Sequence, residues 1–178
     1  AYNNNDKFML GTVFSNSNFE IIKNLSFAFA PMFSFTSKNP LGQAWINYNK
    51  YLNNKTFDLM TIRAGIRSFN MDYNKKFDYF LRYIKIDPSI TLRFRHLPVT
   101  NITSSLTLKA YFINEEIADT DASGLKGINN IASKIFKLDY DIKKSDVLTT
   151  SSLSLNAEQQ SFETDNYLKL TGTVYQRW

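Results

Sequence analysis

Cysteine is absent from this chain. That excludes a disulfide framework, a thiolate metal site and a thiol nucleophile. Histidine occurs once, as His96. A His-Glu-x-x-His zinc motif is therefore impossible, and a Ser–His–acid triad could be composed only around His96, with an arbitrary serine. No run approaches the roughly 18 apolar residues of a membrane helix. The longest apolar-rich stretch, Leu25 to Phe35, is broken by Ser26, Pro31 and Ser34. A chain of this kind crosses a bilayer only as a β-barrel, because every backbone polar group must be satisfied inside lipid. It opens Ala1-Tyr2-Asn3-Asn4-Asn5, without the charged start and apolar run of a leader.

Aromatic residues, mostly Phe and Tyr, are abundant at 15% of the 178 residues. Such rings suit a boundary between water and an apolar phase. The net charge is +5, but Lys and Arg are dispersed through the chain. A basic balance permits nucleic-acid binding, but the cations do not cluster, and contact with anionic lipid head groups is an equally good reading. In Arg93-Phe94-Arg95 charge and ring alternate across opposite faces, unlike a single-strand nucleic-acid platform.

The dominant period is two. Leu25, Phe27, Phe29, Pro31, Phe33 and Phe35 alternate with Ser26, Ala28, Ala30, Met32 and Ser34. A strand separates these sets and a helix would mix them. Pro31 has no ladder donor and predicts a bulge or a local edge. The same separation recurs over 58–68, 87–95, 106–112, 136–142 and 168–175, with less regular strands near 7–15, 43–50, 79–86 and 147–158. This predicts an all-β, antiparallel, up-and-down transmembrane barrel with about ten strands, incomplete, as one domain over residues 1–178. Residues 114–133, rich in Asp, Asn and Gly, predict one long exposed loop.

The alternation assigns two faces. Phe27, Phe29, Phe33, Phe35, Ile62, Leu92, Phe94, Leu108 and Leu138 form an apolar face expected to meet lipid. Bulky, uniform Phe suits lipid better than a core that must interdigitate. Arg63, Arg67, Arg93, Arg95, Lys109, Lys137, Asp139 and Asp141 fall on the other face, expected to line a lumen where the arginines pair with Asp139 or Asp141. If open, such a lumen would favour anions. Arg82 is the exception: it shares parity with Phe80 and Ile84, which predicts an interfacial position or a bulge. Most tyrosines and Trp178 fall near predicted strand ends, as an aromatic girdle would.

Little else carries chemistry. His96 reads as an interfacial polar residue rather than a base or ligand. Asp119-Thr120-Asp121-Ala122-Ser123-Gly124 resembles the start of a calcium loop, but Asn130 stands where a bidentate Glu is needed. It reads as a solvated turn. The glycosylation-type triplets at Asn24, Asn54 and Asn101 are expected by chance in an Asn-rich chain. No metal, cofactor or catalytic residue is expected, and no enzymatic activity.

Three stretches, Asp6 to Gly11, Phe27 to Phe35 and Ser37-Lys38-Asn39-Pro40-Leu41-Gly42, resemble the opening of a particular outer-membrane barrel domain. In Gram-negative envelope proteins that barrel follows an aminopeptidase-N-like zinc peptidase domain on the same chain. The resemblance implies that this chain is the barrel portion, with the peptidase upstream and no catalytic residue carried over. It also implies a barrel continuing past Trp178. Arg177 stands where the terminal signal of a complete barrel wants an apolar or aromatic residue. The expected function is a membrane anchor or pore wall in the outer membrane. Its expected partners are lipids, with other envelope proteins or a fused domain beside them. The alternative is a soluble antiparallel barrel or sandwich holding a small apolar ligand, with the Phe face turned inward.

Overall fold

A computed structural model describes residues 2–3, 6–16, 24–74, 79–95, 101–121, 124–145, 149–162 and 165–177. The fold is all-β, a single antiparallel sheet. Its strands are β1 (Tyr2–Asn3), β2 (Lys7–Gly11), β3 (Phe14–Ser15), β4 (Leu25–Ser34), β5 (Pro40–Tyr51), β6 (Phe57–Asn74), β7 (Tyr79–Ile86), β8 (Ser89–Phe94), β9 (Ile102–Asp121), β10 (Gly124–Ser145), β11 (Thr150–Phe162) and β12 (Asp165–Arg177). They follow one another as a meander.

Two lanes hold two strands each. β2 and β3 both pair with β4, and their break falls opposite Pro31, whose carbonyl accepts from the Thr12 N–H at 3.3 Å. Pro31 itself keeps register opposite Gly42, so the predicted bulge does not form in β4. β7 and β8 both lie between β6 and β9 without a change of register. The break is Asp87-Pro88. Asp87 N–H still donates to Gly65 at 2.9 Å, and the Pro88 carbonyl accepts from Ala110 at 2.9 Å. In an antiparallel strand N–H and C=O of one residue point the same way. The donor that Pro88 lacks is therefore missing on the β9 side only.

Of the predicted loop over 114–133, residues 114–121 and 124–133 are instead strand. Asn114 pairs with Ala132, and the ladder runs on to Asp121 opposite Gly124, with a register shift between Leu125 and Gly127. These residues carry no apolar alternation because both of their faces lie beyond the apolar part of the sheet. A two-stranded ribbon in water needs no such pattern. Asp119 and Asp121 thus belong to a strand, and Ala122 and Ser123 lie outside the described residues.

One end is tied by polar contacts. Asp6 is fully buried, its carbonyl accepts from Ser34 Oγ at 3.0 Å, and its carboxylate accepts from Ser37 Oγ at 3.0 Å and Asn70 Nδ2 at 2.5 Å. This links the start of β2, the β4–β5 turn and the overhang of β6 past β5.

Candidate functional site: the two faces of the sheet

Directly paired residues of an antiparallel ladder share a face. One unbroken row therefore crosses eight lanes: Leu25, Tyr48, Ile62, Ile90, Leu108, Leu138, Ala157 and Leu170. The neighbouring row on the opposite face reads Asn49, Thr61, Thr91, Thr107, Asp139, Asn156 and Thr171. Apolar and polar side chains are sorted by the pleat across the whole sheet.

Exposure is inverted relative to a water-soluble sheet. Leu108 is 53% exposed, whereas Thr107 beside it is 7% exposed. Phe27, Phe29, Phe33, Phe35, Ile62 and Leu138 are all exposed. Leu92 and Phe94 share their face and are partly covered, Phe94 by the rings of Phe57 (4.8 Å) and Tyr140 (6.1 Å). Among the described residues the buried apolar side chains are Met9, Leu41 and Leu81, while Asp6, Ser34, Asn70, Thr107 and Ser133 are buried and polar. The polar face is the crowded one. A contiguous exposed apolar surface of this extent marks an interaction face.

The apolar belt also has an orientation. On β4 it runs from Leu25 to Phe35, centred on Ala30. On β10 it lies between Lys134 and Lys144, centred on Asp139. The hydrogen-bonded row through Ala30 passes Gln43, Arg67, Lys85 and Ile113 and reaches Ser133 on β10. The belt has thus slid from Ser133 to Asp139 over five strand-to-strand steps. That is about 1.2 residues per strand, and with ~3.3 Å per residue and ~4.8 Å between strands it sets the strands about 40° from the belt normal. The stretch from Leu25 to Phe35 covers about 33 Å along the strand, hence about 25 Å of belt height at that tilt.

The polar face is cross-braced by side chains. Thr61 Oγ1 donates to Asn49 Oδ1 at 2.7 Å, and the hydroxyls of Thr91 and Thr107 meet at 3.0 Å. Lys109 Nζ lies 3.0 Å from Asp139 Oδ2, and Asn156 Nδ2 donates to the other Asp139 oxygen. Lys137 pairs with Glu158, Arg93 Nε meets Asp58 Oδ1 at 2.7 Å, and Ser154 Oγ donates to Asp141 at 2.6 Å. Two aromatic rings on this face hold cations: Arg63 lies 5.7 Å from the Trp45 ring centroid, and Lys85 Nζ 4.2 Å from that of Tyr111.

Seven of the eight charged residues assigned to this face from the alternation sit on it by register. These are Arg63, Arg67, Arg93, Lys109, Lys137, Asp139 and Asp141. Arg95 lies just past β8, where its N–H donates to Thr56 and its guanidinium to the Leu52 carbonyl at 3.2 Å. The expected pairing of arginines with Asp139 or Asp141 is replaced. Arg93 takes Asp58, and Asp139 takes Lys109. Asp58 escaped notice because simple alternation puts it with Met60; a register shift between Phe57 and Leu59 frees it to reach Arg93. Glu158 and Asn156 were missed because β11 alternates weakly. Arg82 keeps the parity of Ile84 and lies beyond the belt, where it pairs with Asn70 beside a register shift in β6 and its main-chain N–H donates to Glu116 at 2.9 Å.

His96 lies outside the described residues. Among the described residues no cluster of three or more His, Asp or Glu could hold a metal ion. No known protein family matches this chain, and neither the curated proteins nor the solved structures give a significant match.

Proposed function

We propose that this chain forms part of the wall of an outer-membrane β-barrel, acting as an anchor or pore wall and catalysing nothing. One observation carries the reading: the exposed face bears an apolar belt about 25 Å high, crossed by strands tilted about 40°, the dimensions of a barrel in a bilayer. Lys134 and Lys144 bracket the belt on β10, placed to reach its two head-group layers. The polar face then lines the interior, where its ladder of pairs would brace the wall. The resemblance to barrels joined to zinc peptidases fits this role, since an anchor needs no chemistry of its own.

The pairing changes the expectation for conduction. Arg93, Lys109 and Lys137 are already matched by Asp58, Asp139 and Glu158. Anion preference, if the interior conducts, would then come from Arg63, Arg67 and Lys85.

A folding assay tests the reading. Urea-unfolded chain is diluted into liposomes and the sample is floated on a density gradient. A membrane wall floats with lipid and gains the β-sheet circular dichroism signal. A chain that stays at the bottom of the gradient, folded and monodisperse without detergent, would be a soluble β-protein with an apolar ligand site.

A further inference from the structure

The two ends of the sheet differ. Among the described residues β12 pairs with β11 alone. That ladder runs through all thirteen residues of β12, from Asp165 opposite Phe162 to Arg177 opposite Thr150, without a register shift. Proline, a bulge or a covering segment would blunt such an edge. β12 has no proline and no bulge, and residues 166–177 are all exposed. At the other end β2 and β3 are short and carry only β1, a two-residue strand, on their far side.

The open flank of β12 is built like the inside of the sheet. Leu168, Leu170 and Val174 continue the apolar face, and Lys169, Thr171, Thr173 and Tyr175 the polar one. Leu170 and Val174 are 74% and 79% exposed, against 53% for Leu108, which has a strand on each side. The excess is the flank that a neighbouring strand would cover.

Direction decides what that neighbour can be. Every step of the meander is antiparallel, and eight steps lead from the β2–β3 lane to β12. The two ends therefore run the same way. Joined directly, they would make a parallel seam in an otherwise antiparallel sheet. A second copy inserted in the same direction offers β12 only that same parallel edge. β1 runs against β12 but sets two residues against thirteen. An antiparallel closure of these nine lanes takes an odd number of further strands, giving the even count of antiparallel membrane barrels. The strand beside β12 then runs as β11 does.

Charge fixes one residue of that strand. The polar-face row through Lys169 reads Lys109, Lys137, Glu158 and Lys169. Glu158 pairs with Lys137, and Lys109 with Asp139. The acids of this neighbourhood are thus taken on the β11 side. A carboxylate opposite Lys169 would complete the row, and a cation there would be repelled.

We propose that β12 docks the remainder of the barrel wall: an odd number of amphipathic strands, the first antiparallel to β12. That strand sets apolar residues beside Leu168, Leu170 and Val174 and a carboxylate opposite Lys169. The partner's identity as barrel wall rests on the proposed function; the pairing edge depends only on the sheet.

The test uses a peptide of that chemistry, a copy of Thr150 to Phe162, which matches β12 residue for residue and sets Glu158 opposite Lys169. It carries Ser152→Cys. The chain has no cysteine, so a single introduced one reports its neighbour. The chain is refolded in lipid–detergent micelles with excess peptide under mild oxidation, beside quenching of Phe-face probes by lipid-borne quenchers. Antiparallel docking joins the peptide to Tyr175→Cys and not to Tyr167→Cys. Lys169→Glu should lower the yield several-fold, and a peptide with Glu158→Lys should restore it. Lys169→Gln should lower it less. Preference for Tyr167→Cys means a parallel seam and overturns the proposal. A disulfide to Lys143→Cys on β10 overturns it too, since the peptide would then have displaced β11. So does the absence of any joined peptide, or a Tyr175→Cys chain that joins a second copy in preference to the peptide. Quenching without peptide capture sinks this edge and spares the wall. Capture by a chain without lipid contact sinks the wall reading, and with it the partner named here.

Discussion

Lys109 Nζ and Asp139 Oδ2 stand 3.0 Å apart across the seam where β9 meets β10. Asp139 also accepts from Asn156 on β11. One carboxylate thereby ties three neighbouring strands on the polar face. Replacing Asp139 by Ala should cost about 1–2 kcal/mol, because it leaves two donors without their acceptor. The Lys109–Asp139 coupling alone should be smaller, about 0.5–1 kcal/mol, since Lys109 is partly exposed and water screens the pair. A double-mutant cycle with Lys109→Ala, read by urea unfolding from lipid vesicles, measures both.

The two faces should answer differently to charge. Leu108→Arg puts a guanidinium in the middle of the apolar belt and should destabilise the folded state in bilayers by about 2–4 kcal/mol. Lys109→Arg, one residue along on the polar face, should stay within about 0.5 kcal/mol of wild type. Equal costs at the two positions would be inconsistent with lipid on the Leu108 side.

Two glycines make different demands. Gly42 has φ of +145°, and a Cβ there would collide with the Ala30 carbonyl oxygen. Backbone cannot step aside, so Gly42→Ala should cost about 1–3 kcal/mol. At Gly65 the obstacle is the Asp87 carboxylate, the end of a side chain that can rotate. Gly65→Ala should therefore cost less, and Asp87→Ala should remove most of its penalty. Additive losses in the Gly65–Asp87 pair would contradict that contact.

Tyr79 and Glu116 lie past the belt, in the overhang of β7 and β9. The Tyr79 hydroxyl donates to Glu116 Oε2 at 3.1 Å. Partial burial, then the charge and hydrogen bond of Glu116, push the phenol above its ordinary value of 10.0. A raised folded-state value means that the neutral phenol is the stabilised form. Its contribution is complete below pH 10 and is lost as pH rises through the folded-state value. Wild type should lose stability relative to Tyr79→Phe only above about pH 10. Ultraviolet titration of the difference between these two proteins should show Tyr79 ionising late, and Glu116→Gln should bring it back down.

The alternation of β4, β6, β8, β9 and β10 was legible because the pleat sorts apolar and polar side chains onto opposite faces. Beyond the belt that sorting stops, and residues 114–133 therefore resembled a loop although 114–121 and 124–133 pair as strands. Register shifts erased a second class of information. Asp58 sits on the opposite side of what simple parity predicts for its contact with Arg93, and a shift in β6 is the reason. The identities of ion-pair partners were not legible at all. They depend on which strands are neighbours, so Lys109 meets Asp139 only once β9 and β10 are aligned. Tyr111 and Tyr140 show the limit of the girdle expectation: both lie in mid-strand, Tyr111 beneath Lys85 and Tyr140 against Phe94. Trp178 lies outside the described residues.

The most direct test of the membrane-wall account is the surroundings of the Phe face. Phe27, Phe29 and Phe33 are replaced singly by Cys, the protein is folded in lipid, and each site is labelled with an environment-sensitive probe. Ser26 and Ala28 serve as the opposite face. The account predicts strong quenching by lipid-borne quenchers at the three Phe positions and little at Ser26 and Ala28. Protection of the Phe positions from lipid, with water-accessible label at Ser26, would contradict it and place the Phe face inside a soluble fold.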